Sequence, residues 1–298
     1  MKHAPHERTK LRGFPTTNTH NSIRIQVNES DNTVQMLARL AKEILPPLYA
    51  DPAHYDLLAQ MTAPDDVPFY CALLKDRPGP VLELGCGTGR VLLELARTGV
   101  EAVGIDLSAA MIERARERAI AENLNITLAL ADLRNFDLGQ TFELVLMPFN
   151  VLNHLLDDDS LQRTFNTIAR HMTPESRLVV DTFQPSPDFL TNEPEKRRKI
   201  LRYLDPYSQK EVELFEENHY EPAAQLNRIV WSYTIDGVED ARLDELTMRL
   251  FHPREIDAWL ERSGFRIENK FGDYDGRPFD ARSPKQLMIC RLSDSGVQ

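Results

Sequence analysis

The chain has 298 residues, 42% of them hydrophobic and 27% charged, which suits one large globular domain or a core with a subdomain. Its net charge of −11 argues against a phosphate-backbone partner, and no apolar run approaches the ~20 residues of a membrane span. Three scattered cysteines, Cys71, Cys86 and Cys290, offer neither a disulfide framework nor paired metal-ligand spacing, so no metal is expected and a reducing, cytoplasmic setting fits.

Residues 1–31 are polar and aperiodic, without an apolar signal-peptide core. They read as a disordered tail, with an organelle transit peptide as the alternative. Val34, Leu37, Leu40, Ala41 and Ile44 then recur at helical spacing, and Pro46-Pro47 stops that helix. Short helices over 52–60 and 67–74 complete an N-terminal helical cap, 32–78. From there the pattern alternates: strand 80–84, helix 88–98, strand 101–106, helix 108–122, strands 126–130 and 142–147, helix 158–172, strand 177–183. This rhythm predicts a doubly wound parallel sheet with helices on both faces.

The alternation breaks after Gln184. Residues 200–204, 211–220, 226–235 and 243–250 are strand-like, with turn signals at Asp205-Pro206, Glu221-Pro222 and Asp236-Gly237 between them. A small antiparallel insertion over 185–251 follows, and it emerges at the carboxyl edge of the sheet, where ligands bind in open α/β folds. It is therefore a candidate lid over the substrate. The basic cluster Lys196-Arg-Arg-Lys199 reads as a solvated loop. Helix 253–263 and strands 265–271 and 286–292 return to the core, which is thus split into 79–184 and 252–293.

The most informative segment is Val81-Leu-Glu-Leu-Gly-Cys-Gly-Thr-Gly-Arg90. A buried strand breaks into Gly85, Gly87 and Gly89, letting backbone approach a ligand closely at a helix N-terminus. About twenty residues on, Val103-Gly-Ile-Asp106 ends a second strand in a carboxylate, the position that holds a ribose in such folds. A dinucleotide site would use G-x-G-x-x-G, and here Arg90 stands where a small residue would be wanted. Glu83, inside the strand, suits a ligand with a cationic amino group and no pyrophosphate. There is no P-loop.

Glu83-Leu-Gly-Cys-Gly-Thr-Gly89 resembles motif I of class I S-adenosylmethionine-dependent methyltransferases, and Gly104-Ile-Asp-Leu-Ser-Ala-Ala-Met-Ile112 resembles the segment after it. Ala131-Asp-Leu133 looks like the adenine-contacting motif, and Phe142 to His154 like the fourth strand and active-site lip. The resemblance covers roughly residues 45–292 and implies a Rossmann-like, seven-stranded doubly wound sheet, with the last strand antiparallel, and S-adenosyl-L-methionine as cofactor. Carried over by position, Glu83 and the Gly85 backbone hold the methionine amino group, Asp106 the ribose hydroxyls, and Leu107 the adenine. Asp132 takes the adenine amine and Leu133 the ring, while carbonyls near Met147 reach the methionine end. Cys86, Gly87, Gly89 and Met111 belong to the same set. Asp132 has a second reading as a turn or N-cap residue. Arg90 is either a partner of the cofactor carboxylate or a surface residue.

Methyl transfer asks mainly for positioning, plus a base where the acceptor must lose a proton. His154, just past the fourth strand, is the best-placed titratable group, with a loop-fixing role as the alternative. Tyr55 resembles an N-terminal tyrosine that closes over the methionine end; core packing is its alternative. Tyr203, Tyr220, Trp231 and Tyr233 line either an acceptor pocket or the core of the small sheet. Met147-Pro-Phe-Asn150 lacks the leading polar residue of enzymes that methylate base amines, which argues against a nucleic-acid substrate. The expected function is methyl transfer to N or O of a small molecule. A protein or RNA acceptor, a non-catalytic partner subunit and non-methyl chemistry with the same cofactor are the alternatives. Acceptor identity and oligomeric state are not readable.

Overall fold

The computed structural model describes residues 24–26, 31–75, 79–186, 189–190 and 197–293. The central sheet has eight strands in the order β1-β4-β3-β2-β5-β6-β12-β11. These are β1 (Arg24–Gln26), β2 (Val81–Leu84), β3 (Ala102–Asp106), β4 (Ile126–Leu130), β5 (Phe142–Met147), β6 (Met172–Phe183), β11 (Phe265–Phe271) and β12 (Lys285–Leu292). The strands β1 to β6 run parallel, and β12 is inserted antiparallel between β6 and β11. The seven expected strands are therefore present, and β1 adds an eighth at the edge. It lies where a tail was expected; the remaining positions of that tail before Asp31 fall outside the described residues. Its alternation of Ile23, Ile25 and Val27 is too short to stand out in polar surroundings.

Helices α1 (Asp31–Ile44), α2 (Pro52–Thr62) and α3 (Val67–Leu74) form the N-terminal cap, with a 3-10 turn at Pro47–Ala50. Asp51 N-caps α2 by accepting the His54 N–H at 3.2 Å. In the core, α4 spans only Leu92–Arg97 where helix 88–98 was expected. Gly85, Gly87 and Gly89, with φ of 65°, 54° and 81°, put left-handed residues at alternate positions of the loop, so the helix starts late. The helix α5 (Ala109–Ala121) starts at Ser108, whose hydroxyl accepts the Met111 N–H, and α6 (Asp158–Arg170) starts at Asp157, which accepts from Ser160. The helix α7 (Pro253–Arg262) leads into β11. Val81 to Leu84 are all buried, as a parallel strand covered on both faces requires.

The insertion is a four-stranded antiparallel sheet, β10-β9-β8-β7, built from β7 (Arg198–Leu204), β8 (Glu211–Glu221), β9 (Leu226–Ile235) and β10 (Val238–Arg249). The basic cluster is in part a strand instead of a solvated loop. Arg198 pairs with Glu216 and Lys199 with Glu213, because carboxylates of the neighbouring β8 face them, and Arg197, just before β7, pairs with Asp240; Lys196 lies outside the described residues. Tyr203, Trp231 and Tyr233 pack in one cluster with Leu48, Leu58 and Leu214, which joins this sheet to the cap. No helix among the described residues is long and apolar enough to cross a membrane.

Candidate active site

The strand order reverses at β2, which has β3 on one side and β5 on the other. In open α/β sheets a crevice forms outside the carboxyl ends of the strands at such a point. Here it is a cavity of about 600 Å³. Glu83, Gly85, Cys86, Gly87 and Arg90 of the first loop line it, with Asp106, Leu107 and Met111 from the next. Asp132 and Leu133 follow β4, and Tyr55 and His154 close it from the cap and the lip.

Two of the expected positions, Gly89 and Met147, are not among the residues that line this cavity. A Cβ on Gly89 would lie 3.2 Å from Leu93 and 3.4 Å from Ala115, so this glycine serves packing of α4 and α5. Met147 is fully buried in the core, paired with Val180, and the wall passes to Pro148 and Phe149. Strand alternation turns the methionine inward just before the strand ends.

The loop glycines differ in purpose. A Cβ on Gly85 would come within 2.8 Å of Val151 Cγ2, whereas one on Gly87 would meet nothing within 4 Å. Gly87 thus leaves an open cradle over the cavity. Asp106 is tied into the loop: Oδ2 accepts the Gly87 N–H and Oδ1 the Ser108 N–H, both at 2.8 Å. Burial pushes its carboxyl up, and those backbone bonds pull the other way. It keeps lone pairs free for a vicinal diol.

Glu83 is 2% exposed, and its Oε2 has no hydrogen-bond partner. Burial pushes this carboxyl well above its ordinary range, while the Arg90 charge favours ionisation. An orphaned buried carboxylate beside an open glycine cradle fits a ligand with an ammonium and a close-lying backbone. Cys86, 4% exposed, fills space against Gly104, and burial pushes its thiol well up.

Arg90 is neither a bare surface residue nor free. Its two terminal nitrogens donate to Asp66 at 2.5 and 2.8 Å, and its guanidinium lies over the Phe149 ring. Asp132 is likewise engaged, accepting from the Arg134 backbone N–H at 2.9 Å and from its guanidinium at 2.7 Å. It therefore has the geometry of a turn residue while still facing the cavity.

At the outer end, the Tyr49 hydroxyl and His154 Nε2 are hydrogen-bonded at 3.1 Å. Burial pushes His154 down to about 4, leaving the imidazole neutral at pH 7. Tyr55 packs edge-on against Tyr49, and burial pushes its phenol up to about 12. Tyr49 is pinned through its carbonyl, which accepts the Ser108 hydroxyl at 2.7 Å. Among the described residues of the insertion, Glu245, Leu246 and Thr247 of β10 reach the cavity, and the cap contributes Glu43 to Pro47. The insertion is thus half of the roof. Tyr203 and Tyr233 instead line a separate cavity of about 350 Å³ between α2 and the small sheet.

Sequence reasoning missed Tyr49, Asp66 and the β10 segment. Asp66 lies in Ala63-Pro-Asp-Asp-Val-Pro68, which signals only a helix start. Nothing in the spacing says that its carboxylate crosses to Arg90.

Comparison with known proteins places this geometry. A methyltransferase-domain family model matches residues 81–175. YqeM of Bacillus subtilis (strain 168), a protein assigned as a methyltransferase, is 33% identical over 225 residues, covering 74% of this chain and 86% of the relative. The dTDP-4-amino-2,3,4,6-tetradeoxy-D-glucose N,N-dimethyltransferase of Saccharopolyspora spinosa is 25% identical over 200 residues, 66% of this chain and 75% of that one. Among solved structures, the CcbJ methyltransferase of Streptomyces caelestis superposes with a TM-score of 0.68 at 26% identity, covering 77% of this chain and 90% of its own.

Proposed function

Because the chain belongs to the S-adenosylmethionine-dependent methyltransferases, we propose that its acceptor is an amine on a small polar molecule, of the amino-sugar kind. The observation that carries this reading is the charge of the cavity. Beyond Glu83, Asp106 and Asp132, which the cofactor takes up, Glu43, Asp157 and Glu245 line it, while the lining guanidiniums of Arg90 and Arg134 are each engaged by an aspartate. Such a chamber favours a cation and gives a hydroxyl acceptor no advantage. The dimethyltransferase relative acts on an amino sugar, which supports the same class.

When bound, S-adenosylmethionine supplies an electrophilic methyl on a sulfonium whose thioether leaves readily. Glu83 and the Gly85 backbone take its amino end, and Asp106 holds the ribose diol. Leu107, Met111 and Leu133 give the adenine apolar walls, with Asp132 facing its exocyclic amine. Tyr49 and Tyr55 offer aromatic faces near a cationic centre, worth about 0.5–2 kcal/mol. The acceptor nitrogen attacks as its free amine, the ammonium proton having passed to solvent or to the Glu245 carboxylate, and His154, its imidazole neutral, orients that amine through the Tyr49 hydroxyl. The acceptor enters beneath β10, against Glu245 and Thr247, and the roof excludes water around the reacting pair. The three unpaired cysteines suit a cytoplasmic enzyme.

The test is incubation with methyl-labelled cofactor and paired acceptors, dTDP-amino-deoxyhexoses beside their hydroxyl counterparts, followed by mass spectrometry. Label on nitrogen is expected. Transfer to the hydroxyl compounds alone would refute the amine reading.

A further inference from the structure

Two buried carboxylates, Asp66 and Glu83, lie near the guanidinium of the glycine loop, and one of them holds it. Asp66, wholly buried at the start of α3, engages Arg90 at both terminal nitrogens, at 2.5 and 2.8 Å. The Phe149 ring covers the same guanidinium, 5.3 Å from its centroid. Glu83, beneath that loop at the end of β2, is 2% exposed and has an unpartnered Oε2. Glu83 and Arg90 line the same cavity wall on either side of the glycine loop, and the Arg90 charge favours the ionised Glu83 while that of Asp66 opposes it.

A guanidinium prefers a bidentate carboxylate. Released from Asp66, Arg90 has Glu83 as a buried carboxylate within its field. A Glu83–Arg90 pair would satisfy both groups and shut out an incoming ammonium. The Asp66 carboxylate makes no capping bond to α3, whose N-cap position it occupies, so helix stability does not account for it.

We propose that Asp66 is a positioning residue that holds Arg90 off Glu83, so that the Glu83 carboxylate stays open to the alkylammonium of the cofactor. This rests on the reading of Glu83 as the acceptor of that amino group.

The experiment is calorimetry with two probes on the full chain. Decarboxylated S-adenosylhomocysteine keeps the amine without the carboxylate, and 5′-methylthioadenosine lacks both. For the amine probe, Asp66→Asn is expected to weaken binding about tenfold, the scale of one charged hydrogen bond. The double variant Asp66→Asn with Arg90→Met is expected to return within about threefold of wild type, since the competing cation is gone. Binding of 5′-methylthioadenosine should stay within about twofold throughout. A double variant no better than Asp66→Asn, or an equal loss for 5′-methylthioadenosine, overturns the proposal. If wild type binds both probes equally, the Glu83 reading fails and takes the proposal with it. Should Asp66→Asn not fold, a crystal structure of wild type with the amine probe decides. Arg90 on Asp66 with the amine on Glu83 supports the proposal, and Arg90 on Glu83 overturns it.

Discussion

Asp181 accepts the backbone N–H of Phe149 at 2.9 Å and thereby holds the lip of the cavity in shape. Phe149 and Asn150 are consecutive non-glycine residues with φ of 48° and 66°, a conformation costing about 1–3 kcal/mol each. Three further donors converge on the same buried carboxylate: the hydroxyls of Tyr70 and Tyr274 at 2.8 and 2.6 Å, and Lys285 Nζ at 3.2 Å. The Asn150 side chain completes the clamp by accepting the Phe183 N–H at 2.8 Å. The left-handed turn exists because β6 supplies acceptors for it.

Asp181→Ala leaves these donors without their acceptor and the part-buried Lys285 ammonium without its carboxylate, at an expected cost of about 3 kcal/mol. Tyr274→Phe removes one donor and should cost about 1 kcal/mol. Urea unfolding of the two variants checks the ranking. Equal, small losses would show that the carboxylate does not hold the lip.

The two cavity glycines should part company when substituted. Gly85→Ala combines φ of 65° with a Cβ 2.8 Å from Val151, so a lowered melting temperature is expected. Gly87→Ala meets only the left-handed penalty of about 1–2 kcal/mol. It should fold, yet bind S-adenosylhomocysteine more than about tenfold more weakly, because its methyl enters the cradle. Calorimetry beside thermal unfolding separates the two effects.

Cofactor binding should depend on pH through Glu83. Burial makes the free protein keep a proton on this carboxyl well above the ordinary carboxylate range, and an ammonium needs the ionised form. Binding therefore releases a proton, and affinity rises with pH up to the raised Glu83 value, then levels. Calorimetry of S-adenosylhomocysteine between about pH 5 and 8, in buffers of different ionisation enthalpy, reads that release directly. Glu83→Gln should weaken binding and flatten the profile.

His154 gives a stability signature of opposite origin. Its folded value lies near 4 and its ordinary value at 6.5, so between those limits the unfolded chain binds the extra proton. The contribution is full above pH 6.5 and is lost as pH falls through that window. His154→Asn should remove this component from denaturant midpoints measured across the range. His154→Ala should lower turnover with an amine acceptor far more than cofactor affinity; unchanged turnover would take His154 out of the reaction.

Much of the architecture is legible in the chain because it is local. The apolar run Val81–Leu84, the glycines behind it and the Asp106 carboxylate each report a strand, a loop and a strand end by periodicity and side-chain chemistry alone. The strands of the insertion are equally plain from their turn residues. Where local signals compete, the reading slips: α4 starts late because three left-handed glycines outlast the helical pattern, and Arg24–Gln26 is a strand only because β4 offers an unpaired edge.

The chain by itself determined the order of the core elements, the glycine cradle and the carboxylates Glu83 and Asp106 beside it, since backbone propensity and strand alternation act over a few neighbours. Only the tertiary structure decided which partner each charged group takes. Asp66 reaching Arg90, Asp181 holding Phe149 and Tyr49 meeting His154 all join residues distant in sequence. Buried polar groups must find partners wherever packing places them, and no spacing along the chain encodes that choice.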